Sequence, residues 1–160
     1  MVFGASAYAV ATVLAVFFAG LGAGSILFGR LIDKYQKPLL FYALLELAIG
    51  IYAFLTPWIF QLVQTMQVSL GSSLLLEGFL EWSFFRFVLS FAALIIPTTF
   101  IGGTLPVIIK YFSRDLERFG NSTAKLYSIN TFGAVLGAIL AGFFLIVWFG
   151  VAGAIYFAAA

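Results

Sequence analysis

The chain has 160 residues, of which 64 % are hydrophobic and 9 % charged, against roughly 45–50 % apolar and 25 % charged in a soluble globular domain. No soluble fold of this size hides that much apolar surface, which leaves one membrane domain of about four or five spans at about 20 residues per crossing. The formal charge of +2 comes from eight basic residues divided among separate segments, which excludes a nucleic-acid face, and the absence of cysteine and histidine excludes disulfides, Cys/His metal sites and His-dependent catalysis.

The first span covers about residues 5–28 and carries almost no charge. It has no basic segment before it and exceeds the length of a signal-peptide core, so it reads as a span and not as a secretory signal. Gly20 and Gly24 lie four apart on one helix face, with Gly22 and Ser25 nearby, the spacing that lets another helix backbone come close. The same GLGAG string has the look of a phosphate-binding loop. That chemistry needs a preceding strand and a soluble helix, and this string sits inside a continuous apolar run.

A short charged connection at 29–38 leads into the second span, about 39–60, which contains Glu46. Eight residues past Pro38, the carboxylate is expected about 12 Å along the helix and inside the hydrocarbon. An ionised group there costs about 2.5–3.5 kcal/mol on insertion scales, so Glu46 is read either as a proton or cation site or as a structural hydrogen bond to another helix. Between Gln61 and Phe85 apolar residues alternate with Gln, Ser and Glu, the mixed character of segments lying in the membrane interface. The Gly71-Ser72-Ser73 step is expected to break this connection in two. Glu77 and Glu81, four apart, read as a solvated face or a binding pair.

The third span, about 84–109, contains Pro97 and Pro106 with Gly102 and Gly103 between them. Each proline removes a backbone donor and clashes with the preceding turn, so kinks are expected at both. Thr98, Thr99 and Thr104 are placed to satisfy the freed carbonyls, and kinked helices of this kind also line transporter paths. Next comes a charged connection at 110–125, in which Lys110, Arg114 and Arg118 recur every four residues. A helical continuation aligns these cations for anionic headgroups or for an acidic face of a soluble domain.

The fourth span, about 126–149, carries Gly133 and Gly137, then Ala138 and Gly142, each pair four apart. It is expected to be buried among other helices. Asn130 near its start offers an amide for a ligand or for interhelical hydrogen bonding. After Gly150 an apolar run of ten residues, 151–160, is too short to cross about 30 Å. It predicts either a fragment of a longer protein or a half-span supported by a partner.

Seven of the eight basic residues lie in the 29–38 and 110–125 connections, which puts both in the cytoplasm by the positive-inside rule. Trp58, Trp82 and Trp148 then fall at the outer interface, where indole rings prefer to sit, and the amino terminus lies outside. Asn121-Ser122-Thr123 matches a glycosylation acceptor, but this topology places it in the cytoplasm. The expected localisation is a plasma or inner membrane, crossed several times.

Two resemblances follow from these residues. The stretch GRLIDKYQKP, with Gly29, Arg30, Asp33, Lys34 and Lys37, is similar to the loop motif of the major facilitator superfamily; Gln36 stands where that motif usually has glycine. The resemblance implies a charge network involving Arg30, Asp33 and Lys34 that helps lock one conformation. More broadly, GASAYAVATVLAVFFAGLGAGSILFGRLIDK, PLLFYALLELAIG, PTTFIGGTLPVIIKYF and LYSINTFGAVLGAILAGFFL resemble in order and spacing the membrane portion of integral-membrane spermidine synthase-like proteins. There a major-facilitator-like domain is joined to a Rossmann-like aminopropyltransferase that binds decarboxylated S-adenosylmethionine and a polyamine. The resemblance implies a non-catalytic chain that anchors or feeds such a domain, because the aminopropyl-transfer residues belong to the part not matched here. Alternatives are a fragment of a facilitator-type transporter with Glu46 and Asn130 beside the path, or a membrane scaffold that self-associates through its glycine faces.

The sequence thus predicts an all-α, polytopic transmembrane bundle, one domain over 1–160. About four full spans and a partial fifth are packed through Gly20, Gly24, Gly133, Gly137 and Gly142, and the third span is kinked at Pro97 and Pro106. The bilayer is the expected partner, a cytoplasmic spermidine synthase-like domain, a polyamine and a second copy are further candidates, and no cofactor is implied.

Overall fold

A computed structural model describes residues 4–73, 79–112 and 119–159. Of the residues singled out above, Glu77, Arg114 and Arg118 fall outside that set, as do the side chains of Asn121 and Ser122. Every described element is helical: α1 (Gly4–Ile32), α2 (Pro38–Ser73), α3 (Phe79–Phe112), α4 (Phe119–Leu140), a π-helical turn (Ala141–Leu145) and α5 (Ile146–Ala159). Four helical stretches are long and apolar enough to cross a membrane, Val10–Ile32, Pro38–Ser69, Glu81–Phe112 and Thr123–Ala159. The chain is an all-α, multi-pass membrane protein, and only helices that bond all their own backbone groups suit such a chain in lipid.

α1 and α3 form the tightest pair. A Cβ built on Gly20 overlaps Thr98, one on Gly24 overlaps the Thr99 carbonyl, and one on Gly102 overlaps the backbone of Leu21. At Gly103 it overlaps the ring of Phe28, and Gly29 sits against Pro106 at 3.7 Å. Residue numbers rise together along both helices, from Gly20 beside Thr98 to Asp33 beside Lys110, so α1 and α3 run parallel. That is what two crossings separated by one return crossing require. α2 supplies the return: its Leu45 joins Phe28, Ile32 and Val107 in a core cluster, and higher up its Tyr52 hydroxyl donates to the Ala93 carbonyl. Here α2 descends as α3 rises, the antiparallel relation.

The connections are shorter than the sequence suggests. α1 continues to Ile32, so Gly29 and Arg30 belong to its last turns and not to a loop. The chain then reverses within five residues, with Lys34 N–H donating to Leu31 O and Tyr35 N–H to Ile32 O, both at 3.1 Å. Pro38 opens α2, where its missing N–H and fixed φ cost nothing. α2 runs on through Gly71, Ser72 and Ser73, so the expected interfacial segment is, over Gln61–Ser73, a continuation of the second helix. Its 36 residues span about 54 Å, more than a bilayer core of about 30 Å. An alternating apolar and polar pattern fits the emerging end of a long helix as well as it fits a separate one. α3 likewise stays helical through both prolines.

The fourth helix departs from expectation. In place of burial among neighbours, α4 is exposed at every position from Tyr127 to Leu140, and Gly133, Gly137 and Gly142 meet nothing within 4 Å. Small residues create the option of close approach, but a helix takes it only where a complementary face is present, and α1 and α3 have used theirs on each other. At Gly150 the helix breaks, with φ 68° and ψ 177°, a conformation open to glycine and strained for any other residue. Beyond it the chain turns back along α2. The Tyr156 ring lies 5.6 Å from that of Phe54 and 6.5 Å from that of Trp58, while Ala159 O comes within 3.6 Å of where a Gly50 Cβ would stand. The segment after Gly150 therefore runs antiparallel to α2.

Two glycine substitutions separate these environments. Gly24→Leu is expected to lower stability in detergent by at least the roughly 1–3 kcal/mol typical of overpacking, since the Thr99 backbone does not yield. Gly137→Leu, facing open space, should leave the thermal midpoint of the monomer unchanged. Equal losses at both positions would contradict the α1–α3 pairing.

Candidate functional site

Polar groups occur at several levels of the bundle. At the end bearing the basic residues, Lys110 Nζ donates to Asp33 Oδ1 at 2.7 Å. The bond ties the turn after α1 to the last turn of α3, across 77 residues of sequence. It sits at the foot of the glycine seam, so the backbone register set by Gly20, Gly24 and Gly29 brings the two side chains to bonding distance. Both remain solvent-accessible, at 38 % for Lys110 and 70 % for Asp33, so the pair fastens the end of the bundle without being a buried charge site. The resemblance implied that Asp33 works with Arg30 and Lys34. The structure pairs it with Lys110; Arg30 lies in the last turn of α1, where a cation favours the helix dipole.

Deeper in the bundle, Glu46 is exposed on α2, one helical turn after the partly buried Tyr42, and residues four apart share a helix face. Tyr42 and Glu46 begin a row spaced by four residues that continues through Gly50, Phe54 and Trp58. The upper three positions carry the segment that returns after Gly150. Asn130 is exposed on α4. No contact links it to Glu46, so the two candidate intramembrane groups do not share one site among the described residues.

The third level is the hydroxyl-rich turn of α3. Thr98 Oγ1 donates to Leu94 O at 2.7 Å and Ile95 O at 3.1 Å, Thr99 Oγ1 to Ile95 O at 2.6 Å, and Thr104 Oγ1 to Ile101 O at 2.8 Å. These side chains bond back to their own helix, the usual way serine and threonine are accommodated in spanning helices. Thr98 is nevertheless buried at 8 % accessibility because Gly20 lies against it. Sequence reasoning assigned the threonines to the carbonyls freed by proline and missed their second use as the face Gly20 and Gly24 pack on. The signal was present: Thr98 and Gly102, and Thr99 and Gly103, repeat the four-residue spacing of small residues that marked α1. Lys110 was read only as part of a cationic stripe, and no local pattern pairs it with Asp33.

At the end bearing the tryptophans, the Arg86 guanidinium lies 5.4 Å from the centre of the Trp82 ring. This cation–π contact covers the one basic residue outside the two charged connections. No family model matches the chain, and comparison with curated proteins and with solved structures gives no significant match.

The Asp33–Lys110 pair is expected to behave as an exposed bridge. A double-mutant cycle with Asp33→Asn and Lys110→Gln should give a coupling of about 0.2–1 kcal/mol that shrinks as salt rises toward 1 M. Zero coupling at low salt would remove the bridge from the account of the fold.

Proposed function

We propose that this chain is the membrane domain of a spermidine synthase-like protein, non-catalytic in itself, which holds or supplies a cytoplasmic aminopropyltransferase-like domain. The observation that carries this reading is the Asp33–Lys110 bond at the base of the α1–α3 seam. It draws the turn after α1 and the last turn of α3 together at one end of a helix pair whose backbones are in contact. Among the described residues, Arg30, Lys34, Lys37 and Lys110 then stand at one end of this pair on a stiff support, a platform suited to carrying a soluble domain or meeting anionic headgroups. On this reading the platform is cytoplasmic in a plasma or inner membrane.

A second reading rests on a different observation, the exposed Glu46 within the second spanning helix. An ionisable residue at that depth marks ion and substrate paths in transporters, so the chain is alternatively part of a facilitator-type carrier with Glu46 beside the path and Asp33–Lys110 as its latch. Self-association through the open Gly133/Gly137/Gly142 face is compatible with either.

Two experiments test these readings. Because the chain has no cysteine, Gln36→Cys and Gln64→Cys give unambiguous single labels. In intact cells an impermeant maleimide should modify the second and reach the first only after the membrane is opened; the reverse pattern overturns the cytoplasmic platform. Titration of spermidine into the purified chain should show saturable heat that Glu46→Gln abolishes if the domain handles substrate. Absence of heat with both proteins leaves the anchoring role and removes the supplying one.

A further inference from the structure

Pro97 has no N–H, so the carbonyl four residues earlier, Ala93 O, loses the donor an uninterrupted helix would give it. In hydrocarbon an unpaired carbonyl is costly, and water is not there to replace the bond. The neighbouring hydroxyls of α3 are spent on other acceptors, Thr98 on Leu94 O and Ile95 O and Thr99 on Ile95 O. The donor arrives instead from another helix: Tyr52 of α2 bonds Ala93 O through its hydroxyl. Ala93 itself is buried, and the Tyr52 carbonyl accepts from Thr56 Oγ1 at 3.0 Å within α2.

The position of Pro97 gives this bond a mechanical meaning. The close approaches made at glycines of the α1–α3 seam, against Thr98, Thr99, Gly102, Gly103 and the ring of Pro106, fall on its C-terminal side. That half of α3 is fastened to α1 by overlapping backbones and by Asp33–Lys110. The half from Phe79 to Ile96 carries no glycine and, among the described residues, no ion pair to α1, and it joins the fastened half at Pro97, where a helical backbone bond is missing. We infer that Pro97 is a hinge in α3 and that Tyr52 is its latch: with the hydroxyl bonded to Ala93 O the N-terminal half of α3 is held against α2, and with the bond broken that half swings about Pro97 while the glycine seam stays closed. Tyr52 is thus a positioning residue that couples α2 to the orientation of the N-terminal half of α3.

The coupling makes a specific demand on two variants. Tyr52→Phe removes the donor and should lower the thermal midpoint in detergent by about 2–4 °C, the shift expected of one ordinary hydrogen bond in a chain of this size. Pro97→Ala restores an N–H that bonds Ala93 O within the helix, and in that background Tyr52→Phe should cause no shift. Equal shifts in both backgrounds would mean that Tyr52 contributes packing alone, and would overturn the inference. The hinge itself is read by electron–electron resonance between spin labels at Ile26→Cys and Phe84→Cys, both exposed and unique in this cysteine-free chain. The distance distribution should broaden in Tyr52→Phe and narrow again when Pro97→Ala is added. An unchanged distribution in Tyr52→Phe, which stands even where Pro97→Ala does not assemble, leaves no hinge to latch.

Discussion

The contact of two helix backbones, where Gly20 and Gly24 of α1 meet Thr98, Thr99 and Gly103 of α3, is the constraint on which the rest of the arrangement depends. Lipid tails are as apolar as leucine, so burial of hydrocarbon side chains gives little drive for one helix to prefer another over the bilayer. What remains is close van der Waals approach, strongest where side chains are smallest, and this seam has it. Few side chains are therefore fully enclosed. Val16, Ile32 and Val107 are the large residues almost without exposure, whereas phenylalanines, leucines and isoleucines along all the helices face outward. In water that surface would be a fault, and in a bilayer it is the solvated surface.

Once α1 and α3 are locked parallel, the remaining positions have little freedom. α2 must return between them in direction, and the short turn at Asp33–Lys37 keeps its lower end beside α1, where Phe41 meets Phe28 at 6.0 Å. The same register delivers Lys110 to Asp33 and Tyr52 to the carbonyl freed by Pro97. These two polar bonds differ in kind. The ion pair is open to solvent and contributes little stability. The tyrosine bond satisfies an acceptor that has no aqueous alternative, the carbonyl whose helical donor Pro97 removes.

How far the sequence could be read follows from which of these features are local. Composition and span length made the helical membrane fold legible, and the Gly20/Gly24 spacing marked a packing face before any partner was known. The partner itself was obscure, because the prolines drew attention to the backbone of α3 and away from the Thr98/Gly102 and Thr99/Gly103 spacing beside them. An equally clear spacing at Gly133/Gly137 suggested burial that α4 does not have within this chain. A small-residue face states that close approach is possible and leaves the occupant unspecified. The pairings of Asp33 with Lys110 and of Tyr52 with Ala93, 77 and 41 residues apart, are tertiary facts that no window of sequence contains. Gln61–Ser73 was misread for a different reason: the bilayer sets a minimum length for a spanning helix and no maximum.

The row Tyr42, Glu46, Gly50, Phe54 and Trp58 on α2 joins the candidate polar group to the architecture. The segment after Gly150 settles against Trp58 and Phe54 through Tyr156 and comes close at Gly50, where the missing side chain admits the Ala159 backbone. One turn further along the same row stands Glu46, and one turn beyond it Tyr42. A carboxylate placed in line with a helix-packing row has surroundings set by whatever lies along that row, because residues four apart share a face. Where apolar surface lies against it, the hydroxyl of Tyr42 is its nearest source of compensation, and Tyr42 is itself held at the edge of the Phe28, Ile32, Leu45 and Val107 cluster. The environment of Glu46 is thus linked to the packing of α2 from both directions, by the cluster on one side and by the returning segment on the other. Tyr52, on the same helix, ties α2 to α3 as well, through its hydroxyl bond to the Ala93 carbonyl.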